Sequence, residues 1–169
     1  MDWTTIQGDI AQQAADALVN AAGTSLQMGS GVAGALRRGA NGPINDDAVE
    51  QGPVDLGEVA VTDAYELSAE IVIHAAAMPH YGDRSATADS VRTATKNALL
   101  TADNRDCSSI VIPVLGTGVA GLEFETGARI LCTTIDEFES TSLTVVRVIA
   151  YGDDEFEKLE RIAKEIRGD

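Results

Sequence analysis

The sequence predicts an α/β fold in which a mainly parallel sheet carries helices on both faces, and three observations carry that expectation. Short apolar runs of strand length alternate along the chain with segments of helical period. Alternation of this kind favours parallel pairing, because each crossover helix returns the chain to the same end of the sheet. Two glycine-rich turns then share the spacing GxGxxG, Gly29-Ser30-Gly31-Val32-Ala33-Gly34 and Gly116-Thr117-Gly118-Val119-Ala120-Gly121, and each follows a candidate strand. Ligands of parallel sheets bind beyond the carboxyl ends of the strands, so both turns are expected along one crevice.

The elements follow in order. Residues 3–6 form a short β-prone segment, followed by Gly8-Asp9-Ile10 and a brief helical stretch. The buried-type run Ala17-Leu18-Val19-Asn20-Ala21 reads as a strand. After a loop through Met28, the first glycine motif opens a helix to about Arg38. A second helix covers residues 44–50, started by Pro43 and stopped near Gly52 and Pro53. Residues 58–62 and 71–76 are strands; the first alternates, while Ile71-Val72-Ile73 before His74 is continuously apolar. Residues 87–103 place Ala88, Val91, Ala94, Ala98 and Leu99 at a helical period. Residues 109–115 give the strongest central-strand signal and run directly into the second glycine turn. Residues 124–138 read as a helix, 143–151 as a buried strand and 154–166 as a terminal amphipathic helix. Asp153 or Asp154 serves that helix as N-cap or first-turn acid.

The 169 residues, 44% of them hydrophobic, fit a single domain spanning residues 1–169 with a proper core. Cys107 and Cys132 lie far apart without metal-ligand spacing and are expected as reduced, buried thiols. No run approaches the ~20 apolar residues of a membrane span, and no basic region precedes an apolar run at the N-terminus. A soluble cytoplasmic protein is the expectation. Twenty-seven acidic residues against twelve basic ones give a net charge of −15. Only Lys96, Lys158 and Lys164 are lysines; the other nine bases are arginines. This surface repels nucleic acid, which argues against an extended DNA or RNA footprint. Concentrated salt shortens the Debye length to ~3 Å or less, so an acidic, lysine-poor surface points to a salt-rich, halophilic cytoplasm. An ordinary acidic protein of a moderate environment has the same composition.

Glycine turns at helix N-termini let backbone N–H groups approach an oxyanion, and the helix adds partial positive charge. Two such turns suit a diphosphate gripped from opposite sides. The same spacing also arises wherever a strand turns sharply into a helix without a ligand. A nicotinamide-dinucleotide oxidoreductase fits poorly, since its fingerprint needs an acid ~20 residues beyond the glycines. Here Asp153 and Asp154 come more than thirty residues after Gly121, and too little chain follows.

The run Gly8-Asp9-Ile10, then Asp16-Ala17-Leu18-Val19-Asn20-Ala21-Ala22, then Gly29 to Gly34, resembles the opening signature of macro domains. The resemblance continues through Gly57-Glu58-Val59, Val72-Ile73-His74-Ala75, Ile112-Pro113-Val114-Leu115-Gly116-Thr117-Gly118 and Val148-Ile149-Ala150-Tyr151, in the family's order over nearly the whole chain. It implies a three-layer α/β/α fold with a mixed, mostly parallel central sheet, and ADP-ribose bound in a cleft above it. Carried onto this sequence, Asp9 accepts from the adenine 6-amino group with the Ile10 N–H near the base. Gly29, Gly31 and Val32 form the first phosphate loop, and Gly116, Thr117, Gly118, Val119 and Ala120 the second. Asn20, at a strand end, faces the distal ribose, and Tyr151 packs against adenine or its ribose. From the residues alone, the alternatives are Asp9 as a helix N-cap, Asn20 as a turn-satisfying side chain and Tyr151 as a strand-end core aromatic. His74 reads as a satisfied structural histidine, and His80 has no assignment.

Three positions depart from the family pattern. Gly23 replaces a second asparagine, Ala33 replaces the aspartate of the subgroup that removes ADP-ribose from acidic side chains, and Ala120 replaces a frequent aromatic. No Ser/His/Asp or Cys/His constellation stands in for them. The resemblance thus implies a module for free or protein-linked ADP-ribose, with no cofactor or metal, acting as a monomer. The alternative is a hydrolase that cleaves ADP-ribosyl esters on Glu or Asp, or deacetylates O-acetyl-ADP-ribose, through substrate-assisted attack of water, with Asn20 as its catalytic residue. Activity there is expected to be slow, and Ala33→Asp is expected to raise it.

Overall fold

The computed structural model describes residues 1–79, 85–118 and 121–169. Six strands form one sheet: β1 (Asp2–Gln7), β2 (Ala17–Gly23), β3 (Val59–Asp63), β4 (Ile71–Met78), β5 (Ser109–Pro113) and β6 (Val145–Ala150). Their order is β1-β6-β5-β2-β4-β3, and every neighbouring pair is parallel except β3 with β4. The helices are α1 (Gly31–Ala40), α2 (Ile44–Gln51), α3 (Ala88–Asn104), α4 (Phe124–Glu137) and α5 (Asp153–Arg167), and a short 3-10 turn covers Ile10–Gln12. The expected mixed, mostly parallel sheet between two helical layers is what the chain forms.

The layering follows from the two-residue period of the strands. Ala17, Val19, Ile73, Ala75, Ile110, Ile112, Val146 and Val148 pack on one face with α3, α4 and α5. Their neighbours Leu18, Val72, Val111 and Ile149 point the other way, against the 3-10 turn, α1 and Ile44 of α2. Because both faces are covered, the central strands read as continuous apolar runs. Cys107 and Cys132 are buried and free, and burial pushes the Cys132 thiol up to about 12. No described helix is long and apolar enough to cross a membrane.

Element ends differ from the sequence reading where specific hydrogen bonds intervene. The strand expected over residues 109–115 stops at Pro113, which has no N–H to extend the ladder. Strand β2 runs on to Gly23, which pairs with Met78 across a register shift after Ala22. Asn20 therefore sits inside this strand and not at its end. The N-cap of α5 is Gly152, leaving Asp153 and Asp154 both as first-turn acids.

Two carboxylates fasten the amino ends of the strands, away from the carboxyl ends. Asp16, just before β2, accepts from Ser108 N (2.7 Å) and Ser108 Oγ (2.8 Å), while its own N–H donates to Ser109 Oγ. Asp103, near the end of α3, accepts from the N–H groups of Leu143, Thr141 and Ser142, so the strand expected from residue 143 begins only at Val145. Those backbone donors hold the Asp103 carboxyl below its ordinary value of 3.8. A depressed folded-state value means that the stabilisation is present above about pH 4 and disappears as pH falls through the folded value. Asp103→Ala should lower the melting temperature at neutral pH by about 5 °C. The difference from the unaltered protein should shrink below pH 4. Thermal melts at pH 7 and pH 3 read both effects, and an unchanged neutral melt would show that the turn closes without this carboxylate.

Candidate functional site

The carboxyl ends of β1, β5 and β6 face the open side of α1 and enclose a cleft of about 450 Å³. One wall is α1, which contributes Gly31, Val32, Ala35 and Arg38 along a single face. Opposite lie Gly8, Asp9 and Ile10, which follow β1, and Pro113, Ile149 and Tyr151 from the ends of β5 and β6.

Asp9 has two tasks in this arrangement. It is the N-cap of the 3-10 turn, with Oδ1 accepting from Ala11 N at 2.9 Å, and it lines the cleft. Among the described residues no donor reaches Oδ2, which leaves it for another. Tyr151 is 77% exposed, so it is no core aromatic; its ring stands at the rim. Gly31 opens α1 with φ +63, a backbone setting that favours glycine, and nothing lies within 4 Å of the place its Cβ would take. The same clearance holds at Gly29 and Gly118. At the described residues of the second loop, Gly121 N donates to Gly118 O and Leu122 N to Gly116 O. The loop's first member cannot take a side chain, since a Cβ on Gly116 would meet Val91 Cγ2 at 2.6 Å.

Of the residues singled out from sequence, Asp9, Ile10, Gly31, Val32 and Tyr151 share this one cleft. Gly29 precedes it on the α1 loop, and Gly116, Thr117 and Gly118 follow β5, which also ends at the cleft through Pro113. Val119, Ala120 and His80 lie outside the described residues. Arg38 is the cleft residue that the motif reading passed over; its signal was a helical spacing of seven from Gly31.

Asn20 is fully buried and does not serve a turn. Its partner across the sheet is His74, and the two side chains meet as Asn20 Nδ2 to His74 Nδ1 at 3.0 Å. With Nδ1 accepting, His74 Nε2 carries the proton and donates to Thr62 Oγ1 at 2.9 Å. This row crosses β2, β4 and β3 on the α1 side of the sheet. His74 is thus the satisfied structural histidine expected. Asn20 Oδ1, however, is left without a partner, the only such buried side-chain atom among the described residues. Ala33 is packed in the core beneath α1, 6% exposed. An aspartate there would be desolvated, which counts against Ala33→Asp as a route to activity. Among the described residues no three His, Cys, Asp or Glu side chains gather as a metal site requires.

Comparison with known proteins gives the family and matches the fold. The Macro domain family model matches residues 19–131, and the chain belongs to that family. It is 39% identical over 165 residues to an uncharacterized protein of Saccharolobus solfataricus, covering 95% of this chain and 92% of that one. It is 39% identical over 138 residues to the O-acetyl-ADP-ribose deacetylase of Salmonella newport, covering 79% of this chain and 76% of that one. The fold superposes on the Trypanosoma brucei macrodomain in complex with ADP-ribose with a TM-score of 0.82 at 26% identity, covering 94% of this chain and 68% of that one.

Burial pushes the His74 imidazole down from 6.5 to about 4. A folded-state value below the unfolded one means that stability is full above about pH 6.5 and falls as pH drops toward 4, where the unfolded chain takes up the proton first. Proton NMR titration, with His74→Gln to assign its signal, should give a midpoint near 4. A midpoint near 6.5 would show a solvated ring and remove the fixed Asn20 orientation.

Proposed function

We propose that this protein binds ADP-ribose, free or attached to a protein, in the cleft between α1 and the carboxyl ends of β1, β5 and β6. The observation that carries the reading is the placing of a capping carboxylate with a spare oxygen, Asp9, on the same cleft as the N-terminus of α1. Oδ2 of Asp9 accepts from the adenine 6-amino group beside the Ile10 N–H, and the Tyr151 ring covers the base or its ribose. A carboxylate favours adenine, because guanine presents an oxygen at that edge. Backbone N–H groups at Gly29, Gly31 and Val32 hold one side of the diphosphate, helped by the partial positive charge of the α1 N-terminus. Gly116, Thr117 and Gly118, with Val119 and Ala120, hold the other. Asn20 lies outside the lining of this cleft with Oδ1 buried beside His74, so the distal ribose reaches it only if the residues over it shift when the ligand binds. The Trypanosoma brucei macrodomain, solved in complex with ADP-ribose, supports this choice of ligand.

A second reading is favoured by the Salmonella newport relative named O-acetyl-ADP-ribose deacetylase. In it, water adds to the acyl carbon of an ester on the bound ADP-ribose, releasing the carboxylic acid and ADP-ribose. Asp9, the acid of the described cleft, is held at its adenine end, so the substrate's own phosphate directs the water. Such a site lacks the ~10²–10⁴-fold contribution of a positioned acid or base, and turnover is slow. The acidic surface suits a salt-rich cytoplasm, and the site needs neither cofactor nor partner subunit.

Calorimetric titration in concentrated potassium chloride tests the binding reading. ADP-ribose should bind one-to-one in the micromolar range, about −8 kcal/mol, and much more tightly than AMP or ADP. Asp9→Ala should weaken it about ten- to a hundredfold and relax the preference for adenine over guanine. Equal affinities for AMP and ADP-ribose would contradict the two-loop grip, and slow but measurable release of acetate from O-acetyl-ADP-ribose by the same sample would move the function to the second reading.

A further inference from the structure

Arg38 has no task in the site as described so far. It lines the wall that also carries Gly31 and Val32. Among the described residues it has no carboxylate and no hydrogen-bond partner, in a chain with 27 acids against 12 bases. Five of the other arginines are engaged, while Arg105 and Arg147 are, like Arg38, without a side-chain partner among the described residues. Arg37 donates to Met28 O at 3.2 Å, and Arg92, Arg129, Arg161 and Arg167 all have carboxylate partners.

Helix geometry explains where the guanidinium goes. Arg38 stands four residues beyond Gly34 and seven beyond Gly31, on one face of α1. Side chains on a helix lean toward its N-terminus, so this one reaches back over the first turn. A Cβ placed on Gly34 would lie 3.2 Å from Arg38 Nη1 and 2.9 Å from the Gly29 carbonyl oxygen. The last glycine of the motif therefore gives the arginine room to lie against the loop. Two sources of positive potential, the open N-terminus of α1 and the guanidinium, converge on the stretch between Gly29 and Gly34. Ser30, the N-cap, contributes no side-chain hydrogen bond of its own to that terminus.

We infer that Arg38 pairs with the diphosphate of the bound nucleotide and sets the selectivity of the cleft for phosphate charge. The inference rests on the ADP-ribose reading above. It makes Arg38 a binding and specificity residue: every other phosphate contact in that reading is a backbone N–H. In a molecule of net charge −15, this guanidinium opposes the repulsion that a dianionic ligand meets on approach.

The test compares the unaltered protein with Arg38→Gln and Arg38→Lys at two potassium chloride concentrations where circular dichroism shows all three folded. Each is titrated with ADP-ribose and ADP, and with adenosine by competition. Arg38→Gln should weaken ADP and ADP-ribose about tenfold, leave adenosine unchanged and steepen the gain in diphosphate affinity with salt, because less of the repulsion is then offset. Arg38→Lys should recover part of the loss, since it keeps the charge but not the planar fork. Unchanged diphosphate affinity in Arg38→Gln would overturn this inference alone. An equal loss for adenosine would overturn it too, placing Arg38 at the base or in the fold. Failure of the unaltered protein to bind ADP-ribose would overturn the functional reading and this inference together.

Discussion

The parallel pairing of β2 with β5, and of β1 and β5 with β6, is the constraint from which the site follows. A sheet covered on both faces buries its side chains completely and leaves backbone polar groups available only at its ends. Parallel pairing gathers the carboxyl ends of all these strands on one edge, and the segments after them must turn there. The amino edge is closed by Asp16 and Asp103, which take up the N–H groups of Ser108 and of Thr141 to Leu143. Among the described residues no carboxylate ties one strand to another through backbone N–H groups in this way at the carboxyl edge, where Asp9 caps only its own turn. The free donors of that edge are those of the glycine turns and of the α1 N-terminus, which is where an anion is best received.

That asymmetry also decides how an acidic protein can hold an anionic ligand. With a net charge of −15, long-range forces oppose association, and screening by salt weakens this opposition. Attraction must come from fixed dipoles at short range, where the backbone of the loops and the first turn of α1 act with little reorganisation. The Thr62–His74–Asn20 row belongs to the same logic. Its members are buried, and a neutral imidazole fixes the asparagine amide so that one acceptor stays free.

Much of this was legible in the chain before any coordinates. The strands showed as apolar runs because burial on both faces removes alternation, and the helices showed through their periodic faces. Gly31 and Asp9 were legible because positive φ and N-capping restrict residue choice strongly. Element ends were less so: the stop at Pro113 needed only the residue itself, but the late start of β6 depended on Asp103, forty residues away from Leu143 in the chain. Asn20 was misplaced to a strand end for a similar reason, since the extension of β2 to Gly23 is set by its pairing with Met78. Arg38 escaped notice because a lone arginine on a helix has no motif; only the packing at Gly34 shows which way it points.

The central claim is that one cleft, at the carboxyl edge and on the α1 side of the sheet, takes the whole ligand. The most direct measurement is a backbone amide NMR titration with ADP-ribose in concentrated potassium chloride. The account predicts that the largest shifts fall on the amides of Ile10, Gly31, Val32 and Gly118, with those of α3 and α4 almost unmoved. Shifts concentrated between α3 and α4, with Ile10 and Gly31 unchanged, would contradict it.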